Sequence, residues 1–113
     1  MKGDSAMALT GKQKSYLRSQ GQTMKPLFRV GKNAVTPEFI TQVDDALAKR
    51  ELIKISLLPA AEVSLDEALS VLTNALPSIA VVQTIGKTAL LYRPAEKEKN
   101  QHFSTAVKAL IRS

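Results

Sequence analysis

The 113-residue sequence predicts an α/β fold, a two-layer sandwich in which a four-stranded mixed sheet carries helices in the order α-β-α-β-α-β-β. Three observations predict it. Leu52 to Leu58 alternates, with Ile53, Ile55 and Leu57 on one face and Lys54 and Ser56 on the other, the pattern of a half-buried strand. Ser64-Leu65-Asp66-Glu67 is a capping box, and Leu65, Ala68, Leu69, Leu72 and Leu76 follow at helical spacing. Ile79 to Ile85 and Thr88 to Arg93 are two β-rich runs around Gly86-Lys87, whose leading glycine suits a tight type II′ hairpin.

The remaining elements follow in chain order. Residues 1–8 are read as an appended remnant or a disordered N-terminus, with Met7 as the natural start. Thr10 can cap a first helix from about Gly11 to Ser19, with Tyr16 and Leu17, and Gln13 or Gln20, facing inward. Gly21 ends it, and Pro26 opens a short strand from Leu27 to Val30. Thr36 as N-cap and Pro37 at the first helical position start a second helix, in which Phe39, Ile40, Val43, Ala46 and Leu47 form the apolar face and Asp45 and Lys49 make an i, i+4 pair. This helix joins two strands, which makes a parallel β-α-β unit. The domain is expected to span residues 9–94. Residues 95–113 form a tail in which Glu96 to Gln101 reads as mobile, and Phe103, Val107, Leu110 and Ile111 have the spacing of a short helix.

Composition excludes several kinds of chemistry. There is no cysteine, hence no disulfide, no cysteine-based zinc site and no thiol nucleophile, in keeping with a reducing cytoplasm. The one histidine, His102, lies in the tail, so a soft-metal site is not expected. Asp44-Asp45 and Asp66-Glu67 are adjacent on helices and point apart, which gives no carboxylate dyad. No nucleophile elbow, Walker loop or dinucleotide fingerprint occurs. The reading is of a non-enzyme without cofactor or small-molecule substrate. The longest uncharged run, Ala68 to Gly86, is interrupted by Ser70, Thr73, Asn74, Pro77, Gln83 and Thr84 and is too polar to span a membrane.

Charge is the informative quantity. Sixteen basic residues face ten acidic ones, a net charge of +6. From Leu9 to Asn33 the chain carries Lys12, Lys14, Arg18, Lys25, Arg29 and Lys32 and no Asp or Glu, whereas from Ala34 onward basic and acidic residues balance. All the excess lies in the first third, which points to a polyanionic partner. Lys14 and Arg18 share a helix face that Lys12 flanks, a repulsive arrangement that a bound anion would relieve. Between the first strand and the second helix lies the loop Gly31-Lys32-Asn33-Ala34, where free backbone N–H groups and the positive end of a helix dipole meet Lys32 and Arg29. Lys54 has a weaker claim from the solvent face of its strand, and Lys87 and Arg93 are candidates to extend the basic surface. Phe28 and Phe39 fall in the core, so the sheet has no aromatic platform, and the expected mode is to grip a backbone rather than stack bases.

Four stretches carry a resemblance. Leu9-Thr10-Gly11-Lys12-Gln13-Lys14 with Leu17-Arg18, Lys25-Pro26 leading to Val30-Gly31-Lys32-Asn33, Arg50-Glu51-Leu52-Ile53-Lys54-Ile55, and Gln83-Thr84-Ile85-Gly86-Lys87 with Leu91-Tyr92-Arg93 resemble, in order, the CRM domain (chloroplast RNA splicing and ribosome maturation) in its stand-alone bacterial form, the YhbY family. The resemblance implies a fold similar to the C-terminal domain of translation initiation factor three. It also implies RNA contacts through a Gly-x-x-Gly loop of the KH kind, and association with the precursor of the large ribosomal subunit. The loop carries over onto Gly31, Lys32, Asn33 and Ala34; Ala34 stands where a second glycine is usual, acceptable at negative φ and costly at positive φ. The expectation is a cytoplasmic, monomeric RNA-binding protein that assists ribosome assembly through this loop, Arg29 and the basic first helix. The alternative is a scaffold that docks on a ribosomal protein or assembly factor through an apolar patch of Phe103, Val107 and Leu110. Binding of DNA is a third reading.

Overall fold

The computed structural model describes residues 9–32 and 35–110. Asn33 and Ala34, two of the four loop positions, lie outside the described residues, as do residues 1–8 and Ile111. Helix α1 (Gly11–Gly21) begins at Thr10, whose hydroxyl accepts from the Gln13 N–H at 3.1 Å while Gln13 Oε1 accepts from the Thr10 N–H at 2.8 Å. Strand β1 (Phe28–Val30) leads to α2 (Pro37–Arg50), then β2 (Leu52–Leu57), α3 (Leu65–Ala75), β3 (Ala80–Ile85) and β4 (Thr88–Tyr92). The capping box of Ser64 and Glu67 closes as the sequence requires. Gly86 takes φ 58 and Lys87 does not take a positive φ, the pattern of a type II′ turn.

The sheet is mixed, in the order β1-β2-β4-β3. β1 is parallel to β2, with Phe28 opposite Ile55 and Val30 opposite Leu57; β2 is antiparallel to β4, and β4 to β3. On one face Ile53, Ile55, Ala89 and Leu91 pack against Val43 and Leu47 of α2 and Leu69 and Leu72 of α3, all buried. Phe28 and Phe39 meet edge to face against this core, with ring centroids 5.7 Å apart.

The other face is covered as well, so the molecule has three layers rather than the two expected. Leu52, Leu90 and Tyr92 project from it and are buried beneath Leu17 of α1 and Val107 of α4 (Ser104–Ala109). Lys54 and Ser56 on β2 suggest a solvent face, but β4 is apolar on both sides, and an uncovered Leu90 and Tyr92 would leave a large hydrophobic surface in water.

The tail is part of this packing. Glu96 to Gln101 reads as mobile, yet a 3₁₀ turn forms at Glu98–Asn100, and Gln101 Nε2 donates to the Ala95 carbonyl at 3.1 Å. Gln13 Nε2 donates to the Val107 carbonyl at 2.8 Å and ties α1 to α4. The apolar patch required by the scaffold reading is therefore not on offer: Val107 is 5% exposed, and Phe103 is half-buried against the same cluster.

Glu51 holds the tail. It ends α2 at φ 66, a conformation that favours glycine, and its N–H donates to the Leu47 carbonyl at 2.9 Å. Its buried carboxylate accepts from the N–H groups of Ala95 (2.6 Å), Phe103 (2.6 Å) and Ser104 (3.0 Å). Burial alone would push its pKa up, but these donors outweigh it and leave the carboxyl below its ordinary value.

Among the described residues the one ion pair joins Arg93 Nη1 to Asp44 Oδ1 at 2.6 Å, and Arg93 Nη2 also donates to the Asp44 carbonyl at 2.9 Å. The Asp45–Lys49 pair expected from the sequence does not form; an exposed pair gains too little to hold two long side chains in one geometry.

Candidate nucleic-acid interface

Three chain reversals meet at one edge of the sheet. β1 ends at Val30 and passes into Gly31, β2 ends at Leu57, and the β3–β4 hairpin turns at Gly86-Lys87. Backbone bonds lock them together: the Leu58 N–H donates to the Val30 carbonyl at 2.9 Å, and the Leu57 N–H to the Lys87 carbonyl at 2.8 Å. The tail and Glu51 lie at the opposite edge, a β2 length away, about 17 Å.

Gly31 is half-buried and Lys32 exposed. Nothing in the described fold demands glycine at position 31. Its φ lies outside the left-handed region, and a Cβ there would meet only Leu58 Cδ1, at an ordinary 3.8 Å. Gly21 is the contrast, since a Cβ there would come within 2.7 Å of Leu90 Cδ2, which explains a glycine by packing alone. At Gly31 no such packing reason exists among the described residues.

The helix end beside the loop is less open than the sequence suggests. Pro37 has no N–H, the Thr36 hydroxyl takes the Phe39 N–H at 3.1 Å, and the Ile40 N–H donates to the Thr36 carbonyl at 3.0 Å. Glu38 adds a carboxylate in the first turn. The α2 N-terminus is thus already capped, and an anion at this edge depends on the loop and on side chains.

The basic residues fall largely on one side of the sheet. Phe28 and Val30 face the α2–α3 core, so Arg29 between them points to the α1 side and is exposed. Lys25, exposed, lies in the connection from α1 to β1. Lys54 shares the α1 side but is occupied: its Nζ donates to the Met24 carbonyl at 2.9 Å and pins that connection to the sheet. On α1 the buried stripe is Gln13, Leu17 and Gly21. Lys14 and Arg18 each follow a stripe residue and share one flank; Lys12 precedes the stripe and lies with Tyr16 on the other, roughly 200° from Lys14. Lys14 and Arg18 thus share a face as expected, and Lys12 stands apart from them across the buried stripe. Arg93 is also removed from the candidate surface by its pairing with Asp44.

The acidic residues follow the opposite pattern. Glu38, Asp44, Asp45, Asp66 and Glu67 lie on α2 and α3, and Glu62 in the connection before α3. α2 also carries Lys49 and Arg50 in its last turn, and Glu96 and Glu98 lie in the tail, but α1 and the connection to β1 carry no carboxylate. Lys87, a candidate to extend the basic surface, stands at the same end of the sheet as the Gly31 loop with the end of β2 between them, a placement readable only once β4 is known to pair with both β2 and β3.

At the far edge, a groove of about 630 Å³ is lined by Asp44, Lys49, Arg93, Ala95, Glu96 and Asn100, of mixed charge and with its guanidinium already paired. His102 is exposed, its Nε2 2.9 Å from the Lys49 carbonyl. Among the described residues no group of His, Asp or Glu is arranged to hold a metal ion, and no helix is long and apolar enough to cross a membrane.

Comparison with known proteins gives the chain's relatives. The sequence model of the CRS1 / YhbY (CRM) domain matches residues 9–93. "Probable RNA-binding protein YqeI" of Bacillus subtilis is 42% identical over 91 residues, covering 80% of this chain and 94% of that protein. A Haemophilus influenzae protein named "RNA-binding protein" is 33% identical over 96 residues, covering 82% and 93%. The solution structure of the hypothetical protein SAV1595 from Staphylococcus aureus superposes with a TM-score of 0.63 at 34% identity, over 85% of this chain and 99% of that one.

Proposed function

This chain belongs to the CRS1 / YhbY (CRM) domain family, and from that premise we propose that it binds RNA through the loop edge of its sheet, as a monomeric cytoplasmic protein acting on the precursor of the large ribosomal subunit. The observation that carries the reading is the placement of acid-free positive charge: Arg29 points to the side of the sheet that α1 covers, Lys32 is exposed in the adjoining loop, Lys25 lies in the connection between α1 and β1, and α1 itself carries cations and no carboxylate. The names of the relatives support RNA as the polyanion.

The mechanism is one of binding alone. Gly31 lets a phosphate approach the backbone without a Cβ in the way, and the loop N–H groups from Gly31 to Ala34 supply hydrogen bonds. Lys32 and Arg29 neutralise that phosphate and its neighbour. Lys14 and Arg18 form a second cationic strip on α1, with Lys12 and Lys25 further out; Lys54, held by Met24, positions the surface and contributes charge. With about six phosphates neutralised, log affinity is expected to fall with log salt at a slope of roughly −4 to −5. Titrations of a ribosomal RNA fragment at several potassium chloride concentrations measure it. A slope near zero would contradict the proposal.

A further inference from the structure

One row of side chains crosses the whole sheet at the loop edge. Arg29 stands opposite Ser56, Ser56 opposite Thr88, and Thr88 opposite Ile85, one residue from each of the four strands. Directly opposed residues share a face, and this face is the one that α1 covers further down, over Leu52, Leu90 and Tyr92. The row itself is not sealed. Arg29 is exposed, Ser56 and Thr88 are half-buried, and Ile85 is 66% exposed, the most open of the large apolar side chains in the described residues.

The composition of the row is specific. It runs from a guanidinium through two hydroxyls to an apolar side chain over three strand spacings, about 14 Å, with Lys32 at one end and Lys87 on the hairpin tip at the other. It contains no carboxylate. The acidic residues nearest this edge, Glu38, Glu62, Asp66 and Glu67, belong to α2, α3 and the connection before α3.

Resting on the RNA reading above, we infer that this row is a second contact surface that seats a single-stranded stretch of the bound RNA. The phosphates run between Lys32, Arg29 and Lys87, ribose or phosphate oxygens meet the hydroxyls of Ser56 and Thr88, and an unstacked base lies on Ile85. An RNA duplex has no use for the last contact, because its base faces are stacked inside the helix; an unpaired nucleotide offers one.

The test is the affinity of the full chain for an unstructured uridine oligonucleotide and for an RNA duplex of equal length, in variants Ile85→Ala, Thr88→Val and Lys32→Glu, with melting curves to verify folding. Ile85→Ala is expected to weaken oligonucleotide binding about fivefold and leave duplex binding unchanged. If Ile85→Ala and Thr88→Val bind the oligonucleotide like the parent while Lys32→Glu loses affinity, the row is overturned and the loop reading stands. Equal losses for oligonucleotide and duplex would overturn the single-strand assignment. A parent protein that binds neither probe would overturn both readings.

Discussion

Glu51→Gln is expected to lower the melting temperature by more than about 10 °C, the largest stability effect of any single polar substitution in the chain. The amide keeps the shape of the side chain but offers only one acceptor oxygen to three N–H donors, those of Ala95, Phe103 and Ser104. One orientation leaves the Ala95 N–H facing the amide NH₂. Loss of the charge weakens the bonds that remain, and the sum is about 3 kcal/mol. At roughly 4–8 °C per kcal/mol for a domain of this size, the shift is readily measured. Glu51→Ala keeps the same strained φ and should fall at least as far, whereas Glu51→Gly recovers part of the backbone cost.

The same carboxylate gives a pH dependence of known sign. Its folded pKa is lowered, so the stability it contributes is present above its unfolded value near 4.5 and is lost as pH falls through the folded value. As pH falls through that lowered folded value the tail should loosen from α1 before the sheet melts, and Glu51→Gln should abolish that acid step. Hydrogen exchange of α4 amides across this range reads it. Truncation after Pro94 acts on the same contacts: it strips Val107 from its cluster and leaves a buried carboxylate without donors, so lost binding in such a truncation would report unfolding.

The second large effect is at the other edge. Arg29→Glu with Lys32→Glu is expected to reduce RNA affinity by about 30- to 100-fold at moderate salt, because two contacts become repulsions beside the backbone approach at Gly31. The melting temperature should change little, since both side chains are exposed and neither is hydrogen-bonded in the described structure. Electrophoretic mobility shift and thermal melting separate the two effects. Lys12→Glu, on the opposite flank of α1 from Lys14 and Arg18, should cost much less.

How far the sequence spoke depended on whether the signal was local. The cap at Thr10, the capping box at Ser64, the alternation of β2 and the Gly86 turn each lie within a few residues, and each formed; at Thr10 the structure adds the reciprocal bond from Gln13. The tail did not reveal itself, because the acceptor for its N–H groups is Glu51, 44 to 53 positions away. Of the two glutamines that could face inward on α1, the structure selects Gln13, and the reason is again distant in sequence: its amide donates to the Val107 carbonyl. Lys54 and Arg93 looked like free cations until Met24 and Asp44 appeared beside them. The excess positive charge of residues 9–33 was legible from the start, because composition does not need the fold; that it shares a layer with α1 needed the sheet.

The central claim is that RNA lies along the edge formed by the Gly31 loop and the β3–β4 hairpin. Crosslinking in cells with ultraviolet light, followed by identification of the crosslinked peptides and sequencing of the attached RNA, examines it most directly. Crosslinks within residues 25–36 and 83–89, attached to large-subunit ribosomal RNA, are the outcome expected here. Crosslinks confined to the exposed faces of α2 and α3, or to the groove beside Asp44 and Arg93, would contradict it.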